Sequence, residues 1–273
     1  MKKYFTCILF VLSTSIGFCQ SFDKYDLKGI VKANIEVVIG DQFDQYDIKE
    51  IIKVNPSLVT VTSTKFDKYD YKKFVKLGAR VVIRNQLNKY DIKEIIEINP
   101  LLITIISNKF DKYDYKEFVE LGSKVIIQDQ FDKYELKEII KISPTLVTIN
   151  ATKFDKYEYK DFMRLGAKIV LKDQFDKYDL KEIIKISPSL VTINATKFDK
   201  YEYKDFLRLG AKIVVTNQFD KYDLNEIIKV SPSSVTLIAT NFDTFDSKKF
   251  VRSGANVIIG VPTDEVDYNV VLN

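Results

Sequence analysis

Between Phe175 and Lys197 the apolar positions change period once. Leu180, Ile183 and Ile184 recur at helical spacing, with Lys177, Lys181, Glu182 and Lys185 on the other side. Val191-Thr192-Ile193-Asn194 then alternates apolar with polar, the pattern of a half-buried strand. The stretch from Phe198 to Gln218 repeats this order, ending in the strand-like Lys212-Ile213-Val214-Val215-Thr216. Each stretch therefore predicts a short helix followed by a short strand.

The boundaries have identifiable causes. Asp176 stands at the N-cap with Asp179 three residues on, a capping-box spacing, and Phe175 and Leu180 flank it as a hydrophobic staple would. First-turn carboxylates also suit the positive end of the helix dipole. Long stretches stop at Ser187-Pro188 or Asn99-Pro100, and short ones at Leu209-Gly210. Proline cannot continue a helix, and glycine accepts a left-handed cap.

The same opening recurs eleven times, at Phe22, Phe43, Phe66, Leu87, Phe110, Phe131, Phe154, Phe175, Phe198, Phe219 and Phe242. Unit lengths alternate between 21 and 23 residues, so the true period is a 44-residue pair. Strands that alternate with helices in units this short pair in parallel through right-handed crossovers. No unit buries its own apolar stripe, so neighbours must stack. Helices need about 8–10 Å of width and strands about 4.8 Å, which splays the helical side. The expected fold is an α/β right-handed solenoid of eleven strand–helix units, with a parallel sheet on the concave face and helices on the convex face. Atypical units at Gly29 to Asn34 and after Gly254 fit capped, open ends.

The long units also read Val-x-Ile-x-x-Thr-x-Phe-x-x-Tyr, as at Val191, Ile193, Thr196, Phe198 and Tyr201, and Asn108 supplies an asparagine in the threonine place. This resembles the shorter leucine-rich repeats across residues 22 to about 260. Threonine mostly replaces the asparagine and aromatic residues replace leucines. The resemblance implies a curved α/β solenoid with a concave surface for a protein or ligand.

Residues 1–19 read as a cleaved signal peptide, with Lys2 and Lys3 before an apolar run and cleavage after Cys19. The alternative is a lipid anchor at Cys19. A repeat domain over 20–262 and a C-terminal cap or tail over 263–273 complete the expected organisation, in a secreted or periplasmic protein. Both cysteines, Cys7 and Cys19, lie in the leader, so the remainder has no disulfide. Without Lys2 and Lys3 the 42 basic residues become 40 against 38 acidic, a net charge of +2. That balance gives no reason to expect nucleic acid or membrane binding, and no stretch is long and apolar enough to span a bilayer.

Candidate chemistry is sparse. Beyond the leader there is no His, Cys or Trp, which removes histidine and thiol catalysis and the usual zinc and copper ligands. The glycines fall singly at helix ends, so no phosphate loop or cofactor is expected. Carboxylate pairs such as Asp155 and Glu158 are better explained by capping than by calcium. Ten tyrosines from Tyr25 to Tyr222, and four more at Tyr71, Tyr115, Tyr159 and Tyr203, are expected to stack within the core. A track for sugars or bases would need exposed rings on one face.

Strand alternation places Thr60, Thr104, Thr148, Thr192 and Thr236 on the concave face. Arg80, Lys124, Lys168 and Lys212 share it, followed four residues later on the same face by Arg84, Gln128, Lys172 and Thr216. Arg80, Arg84, Lys124, Lys168, Lys172, Lys212, Thr104, Thr148 and Thr192 are the candidate ligand-binding residues, facing a protein or an anionic polysaccharide. Regular threonines suggest ice binding, but Arg and Lys interrupt that array. The functional expectation is a non-catalytic binding scaffold, not an enzyme, with a ligand-free cell-surface spacer as the alternative and end-to-end self-association through the open ends.

Overall fold

The computed structural model describes residues 22–216, 218–238 and 244–260. The expected leader and the 263–273 cap or tail lie outside the described residues. Within them, α-helices run over α1 Lys24–Lys32, α2 Gln45–Ile52, α3 Lys68–Lys76, α4 Lys89–Ile96, α5 Lys112–Glu120, α6 Lys133–Ile140, α7 Lys156–Arg164, α8 Lys177–Ile184, α9 Lys200–Arg208, α10 Lys221–Ile228 and α11 Thr244–Arg252. The strands are β1 Glu36–Ile39, β2 Val59–Val61, β3 Arg80–Ile83, β4 Ile103–Ile105, β5 Lys124–Ile127, β6 Val147–Ile149, β7 Lys168–Leu171, β8 Val191–Ile193, β9 Lys212–Val215, β10 Val235–Ile238 and β11 Asn256–Gly260.

Capping starts the helices. The Asp155 side chain accepts from the Tyr157 and Glu158 amides while Glu158 reaches back to the Asp155 amide. The same reciprocal box forms at Asp23, Asp132 and Asp199. At Asp176 only the forward half forms, from Tyr178 and Asp179. A cap of this kind stabilises by about 1 kcal/mol. The carboxylate pair at Asp155 and Glu158 is thus engaged at the helix start, and no group of His, Cys, Asp or Glu among the described residues is placed to hold a metal.

The two stops interlock. The prolines among the described residues do more than end helices, since each opens a single 3₁₀ turn such as Pro144–Leu146. Gly166 sits at φ +95°, and a Cβ there would lie 3.0 Å from the Pro144 side chain. Gly210 meets Pro188 in the same way, at φ +93° and 3.0 Å. Glycine is required at these positions twice over, for its left-handed backbone and for the close approach of the preceding unit. In the first unit Asn34 takes the left-handed position, at φ 63°.

All strands pair in parallel, each with its sequence neighbours. The sheet does not end. β11 pairs with β1, Glu36 opposite Ile258 and Val38 opposite Gly260, and the eleven strands close into a barrel. The expected open solenoid, and the leucine-rich-repeat likeness behind it, are therefore corrected. The splay of helices over strands turns the sheet through a full circle, and closure removes both sheet edges. The concave face becomes the wall of a lumen. Thr60, Thr104, Thr148, Thr192 and Thr236, expected on a solvated face, are only 2–7% exposed.

The main core lies between sheet and helices. Outward strand residues such as Ile169 and Leu171 pack with Tyr159, Phe162, Leu180 and Ile183 in one continuous apolar shell. Edge-to-face contacts knit it together, Phe154 on Phe162 at 5.1 Å and Tyr159 on Phe175 of the next unit at 5.7 Å. Inside the barrel is a second, small apolar cluster of Val82, Ile106 and Ile126.

Candidate functional site: the barrel lumen

Alternation along each strand sets the inner wall in levels. At the strand starts the inward positions are Glu36, Arg80, Lys124, Lys168, Lys212 and Asn256. The middle level holds the threonines with Val82, Ile126 and Val170. Beyond the strand ends stand Arg84, Gln128, Asn150 and Lys172, roughly 13 Å from the first level at about 3.3 Å per residue. An eight-stranded barrel is just filled by its side chains, and width grows with strand number, so eleven strands leave room for more.

The first level is basic. Arg80 pairs with Glu36 across β2. Burial pushes the Glu36 carboxyl up, and the Arg80 charge pulls against it. Burial holds the Lys124 amine below the usual lysine range, with Arg80 adding to the effect. Lys168 is lowered too, by burial first and then by Lys124 and Lys212 on either side. Lys212 is exposed, so this level opens to solvent. Among the described residues neither Lys168 nor Lys212 forms an ion pair.

The nine candidate residues do share the inner wall, but not one point. Arg80, Lys124, Lys168 and Lys212 come together at one level. Thr104, Thr148 and Thr192 lie above them, cross-strand from Lys124, Lys168 and Lys212. Arg84 and Lys172 stand at the other mouth. There, a cavity of about 450 Å³ is lined by Gln128, Asp129, Asn150, Thr152 and Lys172. Its carboxylate is already committed, because Asp129 accepts from the Thr152 amide at 2.9 Å and its hydroxyl at 3.2 Å. Asp173 holds Thr196 in the same way, so the threonine in the asparagine-like place is a clip between units. Three polar atoms of the inner wall, Arg80 Nε and Thr60 Oγ1 toward the first level and Arg84 Nη2 toward the other mouth, are buried without a hydrogen-bond partner among the described residues. Arg84 Nε lies 3.4 Å from Thr62 Oγ1.

Two features escaped the sequence reading. Glu36 belongs to the same column as Arg80 and Lys124, which aligning the 44-residue pairs would have shown. The tyrosines divide sharply. Tyr71, Tyr115, Tyr159 and Tyr203 are fully buried, and each hydroxyl donates to a carbonyl eight residues back, at Ser63, Ser107, Ala151 and Ala195. Gln86, Gln130, Gln174 and Gln218 donate to these hydroxyls at 2.8–3.4 Å. Burial pushes all four phenols well above their ordinary range. The other ten are 61–72% exposed, which corrects the expectation that they pack in the core.

No family model matches the chain, and neither does any curated protein. Solved structures are similar to it over most of its length at low identity. A putative phosphonomutase from Burkholderia cenocepacia J2315 matches with a TM-score of 0.36 and 10% identity, over 90% of this chain and 96% of that one. An HpcH/HpaI aldolase from Desulfitobacterium hafniense DCB-2 matches at 0.34 and 10%, over 86% and 89%. Dihydropteroate synthase from Thermus thermophilus matches at 0.33 and 10%, over 87% and 91%. At such scores the activities these names carry stay with those proteins, and the barrel stands on its own strand pairing.

The reading as a non-catalytic scaffold or spacer is corrected accordingly. It needed an exposed concave sheet, and closure has turned that sheet inward. The exclusion of an enzyme is withdrawn with it. That exclusion rested on the missing histidine and thiol and on carboxylates committed to capping, and it did not weigh the basic side chains of Arg80, Lys124, Lys168 and Lys212 that closure brings together at one level. Among the described residues no helix is long and apolar enough to cross a membrane.

Proposed function

We propose that the barrel takes a small organic anion into its lumen, with Arg80, Lys124, Lys168 and Lys212 supplying the attraction. One observation carries this reading. Four cationic side chains share a partly buried level whose one carboxylate, among the described residues, is Glu36. Like charges held together away from water raise the free energy of the empty site, and a bound anion relieves both burdens at once. The partner is thereby limited in size to what enters the barrel. Titration calorimetry with citrate and with inorganic phosphate tests the idea. Wild-type protein should bind at least one of them, more weakly as salt rises. Lys124→Gln, Lys168→Gln and Lys212→Gln together should abolish the heat, and unchanged affinity in that variant would rule the site out.

A second reading is catalytic, and the position of Lys168 between two other lysines favours it. A desolvated amine beside other cations gives up its proton more readily than a free lysine, and the neutral amine is the nucleophile. Its lone pair would add to the carbonyl carbon of an anionic keto acid. The amine's two protons would pass to the carbonyl oxygen, which leaves as water, giving an imine. Borohydride treatment with pyruvate should then add the reduced adduct to the peptide containing Lys168. A peptide of unaltered mass would exclude this chemistry while leaving anion binding in place.

A further inference from the structure

The ten exposed tyrosines occupy one position in the fold. Tyr25, Tyr46, Tyr69, Tyr90, Tyr113, Tyr134, Tyr157, Tyr178, Tyr201 and Tyr222 are each the second residue of a helix, from α1 to α10. They lie opposite the buried stripe, and side chains on a helix lean toward its N-terminus. The rings therefore form a girdle around the outside of the barrel, near the end where the strands finish. α11 carries Phe245 in the same place, 74% exposed.

Each tyrosine has a lysine beside its face. The Nζ-to-centroid distances run from 5.2 Å at Lys49 on Tyr46 to 6.0 Å at Lys28 on Tyr25. Most of these cations are committed to the next helix. Lys68 reaches Asp91 at 2.8 Å, Lys156 reaches Asp179 at 2.7 Å and Lys200 reaches Asp223 at 2.6 Å. Lys24, Lys89, Lys133 and Lys177 bridge the same way. The girdle is thus a row of flat, apolar, hydroxyl-tipped faces set on charges that cancel. Neighbouring helices place the rings about 8–10 Å apart. Among the described residues none of the ring–ring contacts in the core involves them.

A partner for this surface must be uncharged and periodic, with flat C–H faces and hydroxyls of its own. Nucleic acid and anionic bilayers need cations that are free to meet phosphate, and most of these are tied to carboxylates. A second copy of the chain would need a contiguous apolar patch, whereas ion pairs separate the rings. We propose that the tyrosine girdle is a docking surface for an uncharged polysaccharide, whose sugar faces stack on successive rings.

The test uses the full chain and retention on an insoluble β-glucan, on xylan and on chitin, with heparin and anionic lipid vesicles as contrasts. Wild-type protein should be retained on at least one neutral polysaccharide, with little dependence on salt. The variant Tyr134→Ala/Tyr157→Ala/Tyr178→Ala/Tyr201→Ala should lose on the order of tenfold or more in affinity. The matching Tyr→Phe set should keep binding, since the ring and not the hydroxyl does the stacking. Circular dichroism and thermal melts establish that both sets fold. Absence of binding to all three neutral polysaccharides would overturn the proposal. So would equal binding by the alanine set, or retention only on heparin or vesicles. Gln at Lys124, Lys168 and Lys212 should leave retention unchanged, which separates this surface from the lumen.

Discussion

The two walls of the barrel come from the same repeats and treat charge in opposite ways. Outside, lysines sit between carboxylates. Lys156 touches both Asp179 and Glu182, at 2.7 and 3.2 Å, and these contacts raise its pKa. Inside, Lys168 faces Lys124 and Lys212, and its pKa is lowered. A chain selected for stability alone would fill the inner wall with apolar residues, because cations crowded away from water cost free energy. It has done so at Val82, Ile106 and Ile126 but not at the first level. The outer wall holds the barrel together, and the inner wall carries the cost that a ligand would relieve.

The largest effect separating the two roles should come from the tyrosines of one helix. Tyr159→Ala removes a fully buried ring from the shell and should destabilise by about 3–5 kcal/mol. Tyr157→Ala, two residues earlier and 66% exposed, should stay within about 0.5 kcal/mol of wild type. Urea unfolding of both variants reads the difference. Equal losses would mean that the outer row is structural after all.

The joint between units comes next. Gly166→Ala forces a Cβ into left-handed backbone at φ +95° and against Pro144 at 3.0 Å. It should cost at least the 1–2 kcal/mol typical of that conformation, again by urea unfolding. Gly29→Ala is the control, since nothing lies within 4 Å of a Cβ there, and it should stabilise α1 slightly through helix propensity.

Local structure was legible in the residues and closure was not drawn from them. Asp155 with Glu158, Gly166 and Pro144 announced where a helix starts, stops and hands over. Those signals act within one unit or between neighbours, where sequence spacing translates directly into contact. Closure is a sum over all units. Each unit adds about 4–5 Å more width in the helical layer than in the sheet. Two layers about 10 Å apart need on the order of 60 Å of extra circumference to complete a circle, so about a dozen units suffice. The eleven openings from Phe22 to Phe242 were countable, but the unusual ends at Asn34 and Gly254 were read as caps because open repeats need them. The tyrosines fail for another reason. Tyr157 and Tyr159 differ by two residues, and on a helix that step crosses from the wet side to the core.

The smallest expected effect is the sharpest test of the two walls, because its sign differs between them. Lys168→Met keeps the stem and removes the charge. In the folded protein the Lys168 amine holds its proton less firmly than in the unfolded chain. Below its folded pKa both states are charged, so the penalty is fully present. As pH rises through that value toward the unfolded one, near 10.4, the folded state sheds its proton first and stability is regained. Lys168→Met should therefore be slightly more stable than wild type at neutral pH, with the gain shrinking in the alkaline range. Lys156→Met should do the reverse on the outer wall. Its amine is raised by Asp179 and Glu182, so the stability it contributes is present at neutral pH and lost only as pH climbs through the folded value. Urea unfolding of both variants across neutral to alkaline pH makes the comparison. A Lys168→Met protein that is less stable at neutral pH would mean that the inner lysines hold the barrel together, and the strained cationic level would no longer call for an anion.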